Sequence, residues 1–273
     1  MDDEFFIGWE AKAPAALGGH LRRVAALLLL LGGGVAVALA TSHSKAADSS
    51  FEFGVERSFE GTLRHAPYPM LLVDRPGGGQ STWLVTVFGK RGAESATVAL
   101  DGRRVKLVGS LIHRGGRTMV EVQPETIEDL GVSEVTLSAV ELGEATLRGE
   151  IVDSKCYLGV MKPGNLKAHR ACAVRCLSGG VPPVLLVREE NEAPRYVLLA
   201  GPEGEPIGPA LLDFVAEPVA MTGSLSRAGA FETLRVDPAS IRLAGIRAPR
   251  GRARRGCREG QPSTLCMCTS CCG

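Results

Sequence analysis

Aromatic residues and net charge are both scarce in this chain. Phe, Trp and Tyr together make up 5% of the 273 residues, and the formal net charge is +1. Few aromatic residues argue against surfaces that stack on nucleic-acid bases. A balanced charge creates no global field that would attract an acidic partner. We therefore predict that nucleic acid is not a partner of this protein.

Recognisable catalytic motifs are missing as well. The chain has no glycine-rich phosphate loop, no Gly-x-Ser-x-Gly elbow and no His-Glu-x-x-His pair. The sequence therefore predicts an architecture and a location but no reaction, and it favours a non-enzymatic role.

One long apolar run lies near the start of the chain. Residues 24–40 include no polar side chain, and a membrane span needs about 17–25 apolar residues. Arg22 and Arg23 directly precede the run, so the positive-inside rule places the N-terminus in the cytoplasm. We predict a cytoplasmic segment at 1–23 and a transmembrane anchor at 24–41. The protein would then be a single-pass protein of the bacterial inner membrane, with its C-terminal domains in the periplasm.

A cleaved signal peptide and a buried soluble helix are the alternatives for this run. Residues 36–38 fit the small-residue cleavage pattern, but the leader is long, contains Asp2 and Asp3, and precedes a run longer than the usual signal core. The glycines at 32–34 would weaken a helix in water and are better tolerated in a membrane. We therefore favour an uncleaved anchor.

After a polar linker at 42–58, the chain repeats itself. Blocks recur in the same order. The matched pairs Pro69/Pro183, Gly109/Gly223 and Pro124/Pro238 have one common offset, whereas the earlier pair Gly61/Gly149 has a smaller one. Each copy contains short apolar or alternating segments bounded by Gly, Pro and Asp, which are typical of strands. The fold class that we predict is mainly β, with one N-terminal transmembrane helix followed by two tandem OB-like small β-barrels at 59–131 and 145–244. A generic β-sandwich is the alternative.

The second copy differs from the first by an insertion at 152–180. Pro163 and Gly164 predict a turn. Asn165 is a suitable N-cap and Gly179 a suitable C′ residue, so we expect a helix between them. The second barrel therefore carries a helical insertion.

Three cysteines and one histidine in this insertion form the candidate site. His169, Cys172 and Cys176 have the spacing i, i+3 and i+7, which places them on one stripe of the helix, and Cys156 can fold back on to it. A Cys3His set suits zinc, and the same soft donors suit copper. A disulfide from Cys156 to Cys172 or Cys176 is the second interpretation, because export favours disulfides. Small buried cysteines in a core are the third.

The stretches at 153–159, 169–176 and 179–183 resemble a pattern in uncharacterised bacterial envelope proteins that are membrane-anchored, exported and of small β-barrel type. The opening at 5–9 is similar to openings among such proteins. The resemblance implies an envelope protein linked to respiratory or redox partners, and it implies no activity. We expect an accessory protein that supports a respiratory, redox or metal-handling membrane complex. The alternative is a thiol-redox or metal-dependent enzyme centred on Cys156, His169, Cys172 and Cys176.

Residues 245–273 depart from this pattern. They are rich in arginine, contain five of the eight cysteines and have few apolar residues. This composition predicts a disordered tail, although its Cys-x-Cys and Cys-Cys spacings also resemble thiolate metal tails.

Overall fold

The computed structural model describes residues 14–44, 49–188 and 194–245. The aromatic residues at 5–9 and nearly all of the predicted tail lie outside these ranges. Helix α1 spans Ala15–Ser44. Its segment Leu17–Thr41 is long and apolar enough to cross a membrane, and its most apolar window is not buried against the rest of the protein.

Fourteen strands follow α1 in the described part of the chain. The first eight are β1 (Ser49–Phe51), β2 (Arg57–His65), β3 (Pro69–Asp74), β4 (Gln80–Val87), β5 (Arg91–Gly92), β6 (Arg103–Arg114), β7 (Arg117–Val122) and β8 (Glu128–Val132). The other six are β9 (Ala139–Asp153), β10 (Pro183–Val187), β11 (Arg195–Ala200), β12 (Pro218–Ala228), β13 (Phe231–Arg235) and β14 (Arg242–Leu243). Two further α-helices are α2 (Glu94–Thr97) and α3 (Arg170–Ser178).

Five strands close each of two barrels. In the first barrel, β2 pairs with β3, β3 with β4, β4 with β7, β7 with β6, and β6 returns to β2. The pairing β4–β7 is parallel and the other four are antiparallel. In the second barrel, β9, β10, β11, β13 and β12 close in the same order, with β11–β13 as the parallel pair. This is the five-stranded Greek-key barrel of the OB type, so the predicted fold class is confirmed.

Glycines allow the first strand of each barrel to lie close to the second. A Cβ at Gly61 would lie 2.5 Å from the carbonyl oxygen of Leu72, and a Cβ at Gly149 would lie 2.4 Å from that of Leu186. Only glycine fits such an approach of two backbones. The residue after each glycine pairs with the leucine whose carbonyl oxygen lies so close. The close approach therefore occurs at the same place in both barrels.

Three large apolar clusters fill the described part of the structure, and a small fourth one groups Cys156, Cys176 and Val181. One lies inside each barrel, and the third joins residues of both barrels. The third cluster includes Met70 and Ile112 from the first barrel and Tyr157, Tyr196 and Phe231 from the second. The two barrels are therefore packed against each other through a continuous apolar interface.

Candidate metal and thiol site

The insertion begins where β9 ends. Asp153 is fully buried, and its Oδ1 accepts a hydrogen bond of 2.8 Å from the backbone N–H of Cys156. This bond stabilises a single helical turn at Cys156–Val160. A short 3-10 turn at Lys167–His169 then leads into α3. The predicted helix is present, but its N-cap is His169 and not Asn165, so His169 precedes the helix. Its left-handed C-terminal residue is Gly180, with φ of +86°, and not Gly179.

Three sulfur atoms meet between this turn and α3. The Sγ of Cys156 lies 3.7 Å from that of Cys172 and 3.9 Å from that of Cys176, and all three sulfurs lie within 4.8 Å of one another. Cys156 and Cys176 are buried and Cys172 is partly exposed. All three are free thiols, because the sulfur separations exceed the disulfide length of about 2.05 Å.

These separations match those of a thiolate metal site. Metal–sulfur bonds of about 2.3 Å would hold three sulfurs about 4 Å apart in either trigonal or tetrahedral coordination. The measured distances of 3.7 and 3.9 Å are close to that value. An ion can therefore enter the triangle with little movement of the three side chains.

The spacing of His169 groups it with the cysteines, but its imidazole contacts a carboxylate. Its Nε2 is 3.0 Å from Oδ2 of Asp153, and both side chains are buried. With Asp153 and Cys156 it forms a second group whose ligand atoms lie within 4.8 Å of one another. The four predicted residues are thus neighbours, but the sulfurs of Cys172 and Cys176 belong to one group and the imidazole to the other.

The first barrel contributes a lysine to the sulfur cluster. Lys90, in the turn between β4 and β5, donates a hydrogen bond of 2.6 Å from its Nζ to the Sγ of Cys172. This hydrogen bond raises the pKa of Lys90 above its usual value, while partial burial acts in the opposite direction. The ammonium group therefore stays charged beside the sulfurs, and its charge contributes to lowering the pKa of Cys176.

A second lysine fixes that turn. Lys155 is 2% exposed, and its Nζ donates hydrogen bonds of 2.7 Å to the carbonyl oxygens of both Val87 and Gly89. It also forms an ion pair with Glu121. Lys155 precedes Cys156 in the chain and reaches into the first barrel, whereas Lys90 reaches back to Cys172. The two lysines therefore link the two barrels next to the cluster.

The two buried thiols are hydrogen-bonded to each other, with their sulfurs 3.9 Å apart. A hydrogen bond from Cys156 lowers the pKa of Cys176, against the effect of burial. The same hydrogen bond, together with burial and the charge of Asp153, raises the pKa of Cys156 above its usual range. One thiolate is therefore easier to form than two, and a bound cation would favour the loss of the remaining proton.

Sequence reasoning named the four insertion residues but missed the two lysines. Lys90 lies in the other barrel, so no spacing along the chain connects it with Cys172. Lys155 directly precedes Cys156, yet a lysine in a polar stretch usually points into solvent. Asp153 is not among the four candidate residues that the sequence indicates. The structure shows that it organises both Cys156 and His169.

Comparison of the chain with protein-family models and with curated proteins gives no match. Among solved structures, a deletion variant of the single-stranded DNA binding protein from Thermus aquaticus matches with 14% identity and a TM-score of 0.19. The match covers 76% of this chain and 100% of that one. At such a TM-score it carries no argument, and the fold assignment rests on the strand pairing described above.

The predicted partners were a membrane protein complex and no nucleic acid, and the exclusion of nucleic acid does not hold. The matched protein is named for binding single-stranded DNA, and OB barrels as a class include oligonucleotide binders. Scarce aromatic residues and a balanced charge were therefore insufficient grounds for excluding that class of partner. The exclusion is withdrawn, and the match assigns no ligand in its place.

Proposed function

We propose that this protein is a membrane-anchored, exported metal-binding protein with a non-enzymatic, metal-handling role. The observation that carries the proposal is the triangle of free sulfurs at Cys156, Cys172 and Cys176, all within 4.8 Å of one another. Thiolates select soft ions such as zinc and monovalent copper. Lys90 offsets part of the negative charge that three thiolates would bring together.

The location follows from α1 and its flanking charges. The span Leu17–Thr41 supplies the anchor. Arg22 and Arg23 lie at its N-terminal end, and cationic residues there favour a cytoplasmic N-terminus. Both barrels follow the span, so we place them in the periplasm of a bacterial inner membrane.

A thiol-redox function is the second candidate, and Lys90 is the observation that favours it. Cys172 is the most accessible of the three sulfurs and has an ammonium group at 2.6 Å. As a thiolate it could attack a disulfide substrate, and Cys156, 3.7 Å away, could then release the substrate. The two cysteines would become a disulfide, and the substrate would gain the two electrons and two protons that they lose.

Metal analysis combined with thiol counting separates the two functions. The parent is the full chain in detergent, with the five tail cysteines replaced by serine so that only the three cluster thiols remain. For a metal protein, we expect one zinc or copper ion per chain and protection of all three thiols from alkylation. Each of C156S, C172S and C176S should lose the ion. The control S178A changes an exposed residue of the same helix and should retain it.

Two results would contradict the metal proposal. A chain that binds neither zinc nor copper when its thiols are reduced has no thiolate metal site. If such a chain forms one internal disulfide on exposure to a disulfide substrate, the redox function replaces the metal function.

A further inference from the structure

A cavity of about 260 Å³ opens beside the sulfur cluster. Cys156 and Cys176 lie at one side of it, and Phe53, Phe88 and Met161 also line it. The two phenylalanines are 72% and 70% exposed and Met161 is 46% exposed. The cavity therefore connects the two buried thiols with solvent past apolar side chains that include one thioether, and Lys90, Lys155 and Glu121 also line it.

The exposure of Met161 is unusual within this protein. The other methionines of the described ranges, Met70, Met119 and Met221, are all buried in the cores. Met161 follows the turn that holds Cys156, and its backbone N–H lies 3.4 Å from the carbonyl oxygen of Cys156. A thioether is a soft, uncharged ligand that suits monovalent copper. Its position gives an incoming copper ion a sulfur ligand before the thiols.

The donor set of the cluster also favours monovalent copper over zinc. Structural zinc sites are almost always four-coordinate. The cluster offers three sulfurs, and the fourth predicted donor, His169, has its Nε2 on Asp153. The other oxygen of Asp153 accepts the hydrogen bond from Cys156. Three thiolates without a fourth protein ligand form a complete site for monovalent copper, which is stable with three soft donors.

We propose that the cargo is monovalent copper and that it enters through this cavity, with Met161 as its first ligand. This proposal rests on the proposed metal-binding function. Transfer is a ligand exchange. The bond between copper and the thioether of Met161 breaks as bonds to the sulfurs of Cys156 and Cys176 form, and Cys172 completes the site. The thiols release their protons to water. Copper remains monovalent throughout, so no electron acceptor is required.

The test measures the rate and the equilibrium of copper uptake separately. Full chain in detergent, with serine at the five tail positions, is mixed without oxygen with the monovalent copper complex of bathocuproine disulfonate. Loss of the colour of that complex reports transfer. We expect M161L to slow transfer about tenfold, which corresponds to about 1.4 kcal/mol in the activation barrier. The copper affinity at equilibrium should stay within about twofold, because the three thiolates of the final site are unchanged.

A rim variant without a donor atom is the matched control. F53L changes another exposed side chain of the same cavity and should leave the transfer rate unchanged. If M161L takes up copper at the parent rate, or F53L is slowed equally, Met161 is not the first ligand. If the parent binds zinc but not monovalent copper, the cargo is wrong while the proposed function stands. If the parent binds neither ion, the proposed function itself fails.

Discussion

Lys155 shows how much a single side chain contributes to this site. It is buried between the barrels, where it binds two carbonyl oxygens and Glu121. The desolvation of a buried ammonium group is costly unless all of its hydrogen-bond capacity is used. Here three acceptors use it. The same contacts hold the turn from which Lys90 reaches Cys172, so one residue links interface stability to the geometry of the site.

We expect K155M to lower the free energy of unfolding by about 3–5 kcal/mol, because it leaves the carboxylate of Glu121 in the interface without its partner. Urea unfolding followed by the fluorescence of Trp83 measures this loss. The control K106M, at an exposed lysine of β6, should change stability by less than about 0.5 kcal/mol. The double variant K155M/E121L should cost less than K155M alone, since no charge is left unpaired. Equal losses for K155M and K106M would show that the buried ion pair does not contribute.

The C-terminal end of α3 also contacts the first barrel. The backbone N–H of Gly92 donates a hydrogen bond of 2.9 Å to the carbonyl oxygen of Gly179. A Cβ at position 179 would lie 1.9 Å from the carbonyl oxygen of Lys90. The absence of a side chain at Gly179 therefore allows α3 to approach the turn that carries Lys90.

The variant G179A tests this close approach through the sign of its effect on the free energy of unfolding. The φ of Gly179 is −87° and its ψ is 5°, which alanine can adopt. Reduced freedom of the unfolded chain alone would therefore stabilise the variant by about 0.4–1 kcal/mol. The steric conflict with Lys90 should reverse this and destabilise the protein by about 1–3 kcal/mol. Denaturant titration gives the sign, and G245A, where a Cβ would meet nothing within 4 Å, is the control. Stabilisation by G179A would contradict the close approach.

At the scale of the whole molecule, the two barrels share one apolar interface. Its polar contacts include a hydrogen bond of 2.6 Å from the hydroxyl of Tyr68 to the carbonyl oxygen of Leu199. Burial raises the pKa of Tyr68 well above its usual range, so this hydroxyl keeps its proton. The guanidinium of Arg114 also lies 4.2 Å from the centre of the Tyr157 ring and donates to the carbonyl oxygen of that residue. Such an interface should make the barrels unfold together.

Two probes can follow the barrels separately. Trp83 reports on the first barrel once Trp9, the other tryptophan of the chain, is replaced by phenylalanine. Alkylation of the buried Cys156 and Cys176 reports on the second. We expect both probes to give one urea midpoint. The variant Y68F removes an interface hydrogen bond. It should lower the urea midpoint of both probes equally, which corresponds to a loss of about 1 kcal/mol in the free energy of unfolding. Two separate midpoints, or a shift in one probe only, would show that the barrels unfold independently.

Much of the fold could be predicted because it depends on local patterns. The apolar run within α1 and the short strands bounded by Gly and Pro are visible in neighbouring residues. The same holds for the presence and the C-terminal end of α3, although its N-cap is His169 and not the predicted Asn165. The partners could not be predicted, since composition constrains the chemistry of a surface only weakly.

The sequence by itself determined the mainly β architecture with an apolar N-terminal helix, and it determined which cysteines lie in the insertion. Only the tertiary structure decided which donors meet. It grouped the three sulfurs, paired His169 with Asp153, and brought Lys90 from the other barrel to Cys172. The physical reason is that strand and helix patterns arise from local periodicity, whereas a site is assembled by contacts between residues far apart in the chain. Those contacts are set by how the two barrels pack.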